Sequence, residues 1–468
     1  MADAQTIIAQ STPSGSGAIA IIRLSGPDAI GIVDRMARLA MGRQRLSDAP
    51  SHTIHLGNVT TADGGIADQV LFLLMRAPRT FTGEDVVEIS CHNNPLIIQA
   101  IINRAIGLGA HPAQRGEFTR RAVEQGKIDL VRAEAINELI NAQTEHALQK
   151  SLAQLGGSLS AWIAEIEKRL VEALALCEAS FEFFEGEVDF THQIRENIEQ
   201  IRLQIGQIQG SHGAQRQIRE GVRIAIIGTV NAGKSSLFNR LLGRERAIVT
   251  PIAGTTRDTV EASLDRDGIP WRLIDTAGIR ETLDTIEQEG IRRSLDEARG
   301  ADIVVLVLDA TAPLTRELSA IYEQIGREHG EKMIMVASKC DLIEANLARS
   351  CPSIPTSQGF RQGERTLALS SKTGEGLAAL EQAIATRITA LFATADAPFL
   401  VNQRHHAILT ELETALRNII DMLTTPEVHH ELVAHQLRDA LERLSELSGR
   451  DISRAAVDRI FETFCVGK

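Results

Sequence analysis

Three observations predict a multidomain chain that combines α/β with all-α architecture. An apolar stretch from Val222 to Ile227 runs directly into Gly228-Thr229-Val230-Asn231-Ala232-Gly233-Lys234-Ser235. Two further apolar runs, Ile303 to Leu308 and Met333 to Ala337, have the continuous character of buried parallel strands. Segments rich in Leu, Ala, Glu and Gln at helical spacing lie on both sides of this block, from Leu130 to about Arg202 and from His405 to Lys468. Each helical half is too thin to bury a bundle core alone, so the α/β block reads as an insertion within one discontinuous helical domain. The division expected is 1–125, 126–217, 218–385 and 386–468.

The first of these reads as mixed α+β. Ala18 to Arg23, Gln69 to Leu74 and Val86 to Ser90 are strand-like, and Asn94 to Leu108 has helical periodicity. Gly15, Gly17 and Gly26 punctuate the first strand. In the helical half that follows, Ile163, Ile166, Leu170, Ala173 and Leu174 mark one apolar face. An acidic break runs from Glu182 to Asp189. Gly210-Ser211-His212-Gly213 reads as a linker into the α/β block, and Ala393 to Pro398 as the linker out of it.

The α/β block carries its chemistry in order. The pattern G-x-x-x-x-G-K-S after a strand is a phosphate-binding loop, whose glycines let backbone N–H groups curl toward phosphate oxygens. Lys234 supplies positive charge to the outer phosphates and Ser235 a hydroxyl for Mg²⁺, with the following helix adding its positive dipole end. Asp275-Thr276-Ala277-Gly278 follows an apolar run. An aspartate there can hold Mg²⁺ through water, and Gly278 can bring an N–H to the γ-phosphate. Between them, Gly254-Thr255-Thr256-Arg257-Asp258 offers a threonine, Thr256, to complete the Mg²⁺ shell. Ser338-Lys339-Cys340-Asp341 resembles the guanine-reading N-K-x-D pattern, and Ser370-Ser371-Lys372-Thr373-Gly374 closes the series. An aspartate at position 341 accepts from guanine N1–H and the 2-amino group. Adenine lacks those donors and would leave the carboxylate unpaired, so the pattern selects GTP over ATP. Ser338 stands where the pattern has asparagine, which predicts weaker guanine affinity or a less firmly held loop. Together these motifs predict a Ras-like GTPase domain. The position of the usual water-orienting glutamine is Ile279, so hydrolysis is arranged differently. Asn231 either shapes the loop or holds a monovalent cation beside the phosphates.

Composition bounds the rest. Hydrophobic content is 43% and no run of about 20 apolar residues occurs, which predicts packed cores and no membrane span. The beginning Met-Ala-Asp-Ala-Gln-Thr lacks a basic region ahead of an apolar run, so a cytoplasmic location is expected. The 5 cysteines (Cys91, Cys177, Cys340, Cys351, Cys465) form no C-x-x-C pair, which fits a reducing compartment and argues against structural zinc. His405-His406 and His429-His430 lack nearby ligand partners and read as surface residues. With a net charge of −12, nucleic-acid contact requires a local basic patch, and 3% aromatics disfavour a single-strand stacking platform.

Further motifs make a resemblance specific over the whole length. They are Ile7-Ile8-Ala9-Gln10 with Thr12 to Ile19, Phe81-Thr82-Gly83-Glu84-Asp85-Val86-Val87-Glu88, Gly116-Glu117-Phe118-Thr119-Arg120-Arg121-Ala122, Lys127-Ile128-Asp129-Leu130, Ala133 to Ile136, and the ending Cys465-Val466-Gly467-Lys468. The sequence resembles the bacterial tRNA-modifying GTPase family MnmE, also called TrmE. That resemblance implies a homodimer working with an FAD-dependent partner, MnmG, in a heterotetramer. Together they place an aminomethyl or carboxymethylaminomethyl group on C5 of the wobble uridine of tRNA. A 5,10-methylene- or 5-formyl-tetrahydrofolate supplies the one-carbon unit.

The resemblance also implies residue roles. Arg23, Glu88, Lys127 and Lys468 match the folate contacts of an N-terminal folate-binding and dimerisation domain. Each alone also reads as a surface charge. GTP contacts fall on Asn231, Ala232, Gly233, Lys234, Ser235 and Ser236, on Thr250, Pro251, Ile252, Ala253, Gly254, Thr255 and Thr256, on Asp275 to Gly278, and on Lys339, Asp341, Ser370 and Ser371. K⁺ is held by Asn231, Thr250, Ile252 and Thr255, and takes the place of an arginine finger. Glu287 matches a water-orienting glutamate, although on its own it also reads as a solvated charge. Arg257 and Asp258 match a conformational pair. Cys465 is either a nucleophile or folate contact, or a buried structural thiol. Gln114-Arg115 departs from the Arg-Pro of many relatives. A ribosome-assembly or signalling switch built on the same core is the second reading. The N-terminal motifs and the Cys-Val-Gly-Lys end favour the first, because a plain switch needs neither.

Overall fold

The computed structural model describes residues 5–40, 45–182, 190–210, 212–229, 231–243, 260–266, 268–275, 296–312, 316–343, 366–392, 397–426 and 428–468. The chain divides into two compact units. One comprises Met1–Ile140, Ala153–Ile201 and Glu411–Lys468; the other comprises Asn141–Leu152 and Arg202–Thr410.

The first unit opens with seven strands: β1 (Ile7–Gln10), β2 (Ile19–Ser25), β3 (Ala37–Leu39), β4 (Thr53–Thr60), β5 (Ile66–Met75), β6 (Val86–His92) and β7 (His111–Pro112). They form one sheet in the order β3-β4-β5-β6-β2-β1-β7. Alternation decides its two faces. Ala20, Ile22 and Leu24 of β2 turn inward with Val70, Phe72 and Leu74 of β5, beneath helices α1 (Ala29–Met36) and α2 (Pro95–Ile106). Asn94 caps α2, its side chain accepting from the Leu96 N–H, with Pro95 filling the first helical position. The opposite face stays apolar and exposed at Ile19, Ile54, Leu56 and Leu71. Helix α3 (Glu117–Glu124) follows, then α4 (Leu130–Asn141), α5 (Glu145–Leu155), α6 (Ser158–Glu182) and α7 (Thr191–Gly210).

The second unit takes in most of α5 and the end of α7; in it α8 (His212–Glu220) precedes β8 (Val222–Gly228). The stretch expected as a linker is therefore helical at Gly210 and again from His212, with Ser211 outside the described residues. Helix α8 is held by Asp302, which accepts from Gln217 Nε2 at 2.9 Å and from the Arg223 N–H at 2.9 Å. The unit continues with α9 (Lys234–Leu242), β9 (Val260–Arg266), β10 (Ile269–Asp275), β11 (Ile303–Asp309), α10 (Arg316–His329), β12 (Met333–Ser338), β13 (Leu367–Ala368) and α11 (Leu377–Phe392). Its sheet runs β13-β12-β11-β8-β10-β9, parallel except for the β9 edge. The carboxyl ends of β8, β11 and β12 share one edge, where α/β sheets bind ligands.

Three further helices complete the chain: α12 (Gln403–Leu423), α13 (His430–Ser448) and α14 (Arg454–Glu462). Within the first unit, α6 buries Ile163, Ile166, Leu170, Ala173 and Cys177, and α13 buries Val433, Leu437, Ala440, Leu444 and Leu447. Arg438 pairs with Glu178 and Arg450 with Glu167, so α6 and α13 run antiparallel. The reading of His405 as a surface residue is corrected: it is buried at the start of α12. Its N–H donates to Asn402 Oδ1 at 2.9 Å while its Nδ1 accepts from the Asn402 N–H at 3.5 Å. The imidazole thus takes the reciprocal position of a capping box, a use that ligand spacing does not reveal. Among the described residues, no helix is long and apolar enough to cross a membrane.

Candidate active site

The phosphate loop follows from β8. Gly228 has φ +153, and a β-carbon there would fall 2.3 Å from the Val307 carbonyl oxygen, so the strand meets β11 too closely for any side chain. Gly233, with φ +96, caps α9, and Asn231 takes a left-handed φ of +60 with its side chain exposed. Lys234 is buried, its Nζ donating to the carbonyls of Gly228 at 2.9 Å and Thr229 at 2.7 Å. Ser235 and Ser236 are exposed on the first turn of α9, where dipole and hydroxyls suit a phosphate–cation pair. From behind, buried Tyr322 of α10 is hydrogen-bonded to Thr229; burial pushes its phenol up, and that bond only partly counters the rise.

Two segments at the ends of β11 and β12 complete the edge. Lys339, at a left-handed φ of +61, places Nζ 2.6 Å from Asp309 Oδ2, while Thr311 donates to the other oxygen from N–H and hydroxyl. Partial burial pushes the Asp309 carboxyl up, but these bonds outweigh it and hold the group below the usual range. Ser370 Oγ donates to Asp341 Oδ1 at 2.7 Å, fixing the carboxylate that faces the base in the sequence reading. The loop looseness expected from Ser338 is not found. The Ser338 side chain is buried, with Oγ 2.5 Å from the Ala232 carbonyl and 3.0 Å from that of Leu308. Asp275 closes β10 opposite Ile226 of β8. Thr250 to Asp258, Thr276 to Gly278, Ile279 and Glu287 lie outside the described residues.

The first unit gathers the other predicted residues. Arg23 on β2 is the registered partner of Glu88 on β6, and Nη2 lies 2.7 Å from Glu88 Oε1. The guanidinium also lies 5.5 Å from the ring centre of buried Phe118 and 5.9 Å from that of half-exposed Phe81, within cation–π range. Lys127 Nζ donates to the Pro78 carbonyl at 2.8 Å. The terminal segment docks alongside. Phe118 N–H donates to the Lys468 carbonyl at 3.2 Å, Gly116 N–H to that of Cys465 at 3.2 Å, and Arg115 forms a β-bridge with Val466. Arg115 Nη1 also reaches the Glu462 carbonyl at 3.3 Å, a tie that a proline at this position cannot make. The Cys465 thiol is exposed, which corrects the alternative that it is a buried structural residue.

Sequence reasoning assigned no role to the network behind this cluster. Arg121 contacts Glu84 at 3.1 Å and Glu117 at 2.8 Å, and Glu84 also accepts from Ser25 Oγ at 2.7 Å. All three side chains are largely buried; Glu117 and Arg121 are an i,i+4 pair on α3 that helical spacing could have shown, whereas Glu84 lies in a separate segment and only its place inside a quoted motif could have pointed to it. Among the described residues no cluster of three or more His, Cys, Asp or Glu is placed to hold a metal ion.

The chain is similar to known proteins along its length. The MnmE helical domain family matches residues 130–465, and the family of the GTP-binding protein TrmE N-terminus matches residues 6–127. A tRNA modification GTPase MnmE of Geobacillus kaustophilus is 38% identical over 480 residues, covering 100% of both chains. Those of Listeria innocua and Aquifex aeolicus are 39% and 36% identical, covering 99% of this chain and 99% and 100% of their own. Among solved structures, the G domain of the T. maritima FeoB iron transporter is similar over 36% of this chain and 98% of its own, at 27% identity and a TM-score of 0.26. With a family match across most of the length and full-length relatives of this identity, the chain belongs to the MnmE family of tRNA modification GTPases.

Proposed function

We propose that this chain hydrolyses GTP to drive a domain rearrangement during modification of the tRNA wobble uridine. One observation carries the GTP half: Ser338 ties the phosphate loop to the segment bearing Asp341. Lys234 and Asp341 therefore stand in one rigid frame, as a ligand with phosphates at one end and guanine at the other requires. Lys234 exchanges its carbonyl contacts for phosphate oxygens, and Asp341 accepts the guanine N–H groups. Ser371, Thr276 and Ala277 line the remaining contacts.

The exposed hydroxyl of Ser235 fits Mg²⁺, with Thr256 as its second ligand. Exposed Asn231, in its left-handed conformation beside the loop, fits K⁺ together with Thr250, Ile252 and Thr255. Such cations, when bound, neutralise charge that develops on the phosphates. Glu287 orients water.

The first unit is read as the folate and dimerisation module. The Glu88 carboxylate as acceptor, the Arg23 guanidinium and Lys127 ammonium as donors, and the face of the half-exposed Phe81 ring suit a flat, amino-bearing heterocycle with a carboxylate tail. Lys468 and Cys465 reach the same region on the docked terminal segment. Arg23 and Glu88 bind and orient a tetrahydrofolate derivative, and the exposed apolar sheet face suits a second copy. The aminomethyl or carboxymethylaminomethyl group is then made with an FAD-bearing partner in the cytoplasm.

GTP turnover in K⁺ and in Na⁺ at matched ionic strength, over a range of protein concentrations with ATP as control, tests this reading. Faster turnover in K⁺ that is specific to GTP and steepens with concentration supports it. Turnover indifferent to the cation contradicts the Asn231 assignment, and equal turnover of ATP contradicts the Asp341 assignment.

A further inference from the structure

Ser338 does something at this site that its position in the motif does not announce. A hydroxyl has one proton to donate. In the structure the two acceptors within reach of Oγ are main-chain carbonyls, Ala232 at 2.5 Å and Leu308 at 3.0 Å. The side chain is 2% exposed. Its proton is therefore committed inside the protein, on the loop that carries Lys234. Guanine presents N7 and O6 as acceptors on the edge opposite its 2-amino group. An asparagine amide carries two N–H donors and can serve a loop carbonyl and a base acceptor together; a serine cannot.

We propose that Ser338 is a positioning residue for the phosphate loop and leaves guanine N7 without a side-chain donor, so that base choice rests on Asp341. The proposal rests on the reading of Asp341 as the guanine-binding carboxylate. It predicts a chain that tolerates purines altered at N7 while rejecting those altered at the 2-amino group.

Binding of GDP, 7-deaza-GDP and IDP to the full chain is the test, measured by calorimetry. 7-Deaza-GDP lacks the N7 acceptor, and IDP lacks the 2-amino donors. 7-Deaza-GDP is expected to bind within about twofold of GDP, and IDP about tenfold or more weaker, since a hydrogen bond to a charged group is lost. In Ser338→Ala all three should weaken by a common factor of about five, because the loop tether is lost for each. In Ser338→Asn the regained amide should make 7-deaza-GDP bind more weakly than GDP. A clear preference of the wild-type chain for GDP over 7-deaza-GDP overturns the Ser338 assignment, and that comparison requires no variant to fold. A Ser338→Ala loss confined to GDP overturns it equally. IDP binding as tightly as GDP overturns the Asp341 reading instead.

Discussion

Gly467 lies so close to Gln10 that a β-carbon on it would fall 2.3 Å from the Gln10 carbonyl oxygen. Its φ of +94 also lies where other residues are strained. The terminal segment thus seats against the first strand of the chain through the one residue type that can lie there. Gly467→Ala should weaken this docking by about 1–3 kcal/mol. Limited proteolysis should then remove the last residues faster than in the wild type, while GTP turnover stays unchanged.

Lys234 is the cation nearest the loop carbonyls and, in our reading, the one that meets phosphate. Lys234→Ala should lower GTP turnover by roughly two orders of magnitude or more. Single-turnover hydrolysis checks this; a loss below about threefold would remove Lys234 from the chemistry.

Asp341 is held by Ser370 in a fixed orientation. Asp341→Asn replaces one acceptor pair by an acceptor and a donor. That set matches xanthine, whose 2-oxo group stands where guanine has an amine. GDP affinity should fall about a hundredfold and XDP affinity should rise, as competition binding would show.

Arg121 bridges Glu84 and Glu117, each at most 21% exposed. Arg121→Met leaves two carboxylates facing each other without a counter-charge. Unfolding free energy of the first unit should drop by about 3 kcal/mol, read from denaturant titration of the full chain.

Cysteine reactivity should sort by burial. Desolvation raises the thiols of Cys91 and Cys177 to about 11. At pH 8 only about one in a thousand of either is thiolate, and the fraction grows as pH rises. Iodoacetamide at pH 8 should therefore label exposed Cys465 ahead of Cys91 and Cys177. Mass spectrometry finding Cys91 or Cys177 modified at the same rate would contradict the fold around them.

Legibility in the sequence followed the physics of each element. The central strands β8, β11 and β12 announced themselves as continuous apolar runs because both faces are covered. The phosphate loop was legible because phosphate binding constrains both its glycines and its lysine. By contrast β4, Thr-Ile-His-Leu-Gly-Asn-Val-Thr, alternates over its first four residues but turns Ile54 and Leu56 outward and is interrupted at Gly57-Asn58, so its place is set by pairing with β5. His405 could not be seen as a cap, because burial comes from packing around the helix start. The consequence of Ser338 was misjudged in one respect: its shorter side chain still reaches the loop, since Ala232 and Leu308 approach it from both sides.

The most direct measurement is wobble-uridine nucleoside analysis by mass spectrometry, on tRNA incubated with this chain, an FAD-bearing MnmG-type partner, GTP, Mg²⁺, K⁺, methylene-tetrahydrofolate, and ammonium or glycine as the source of the amine nitrogen. The account predicts a C5-modified uridine with the wild-type chain and none with Lys234→Ala. Equal modification by Lys234→Ala, or none by a wild-type chain that hydrolyses GTP normally, would contradict it.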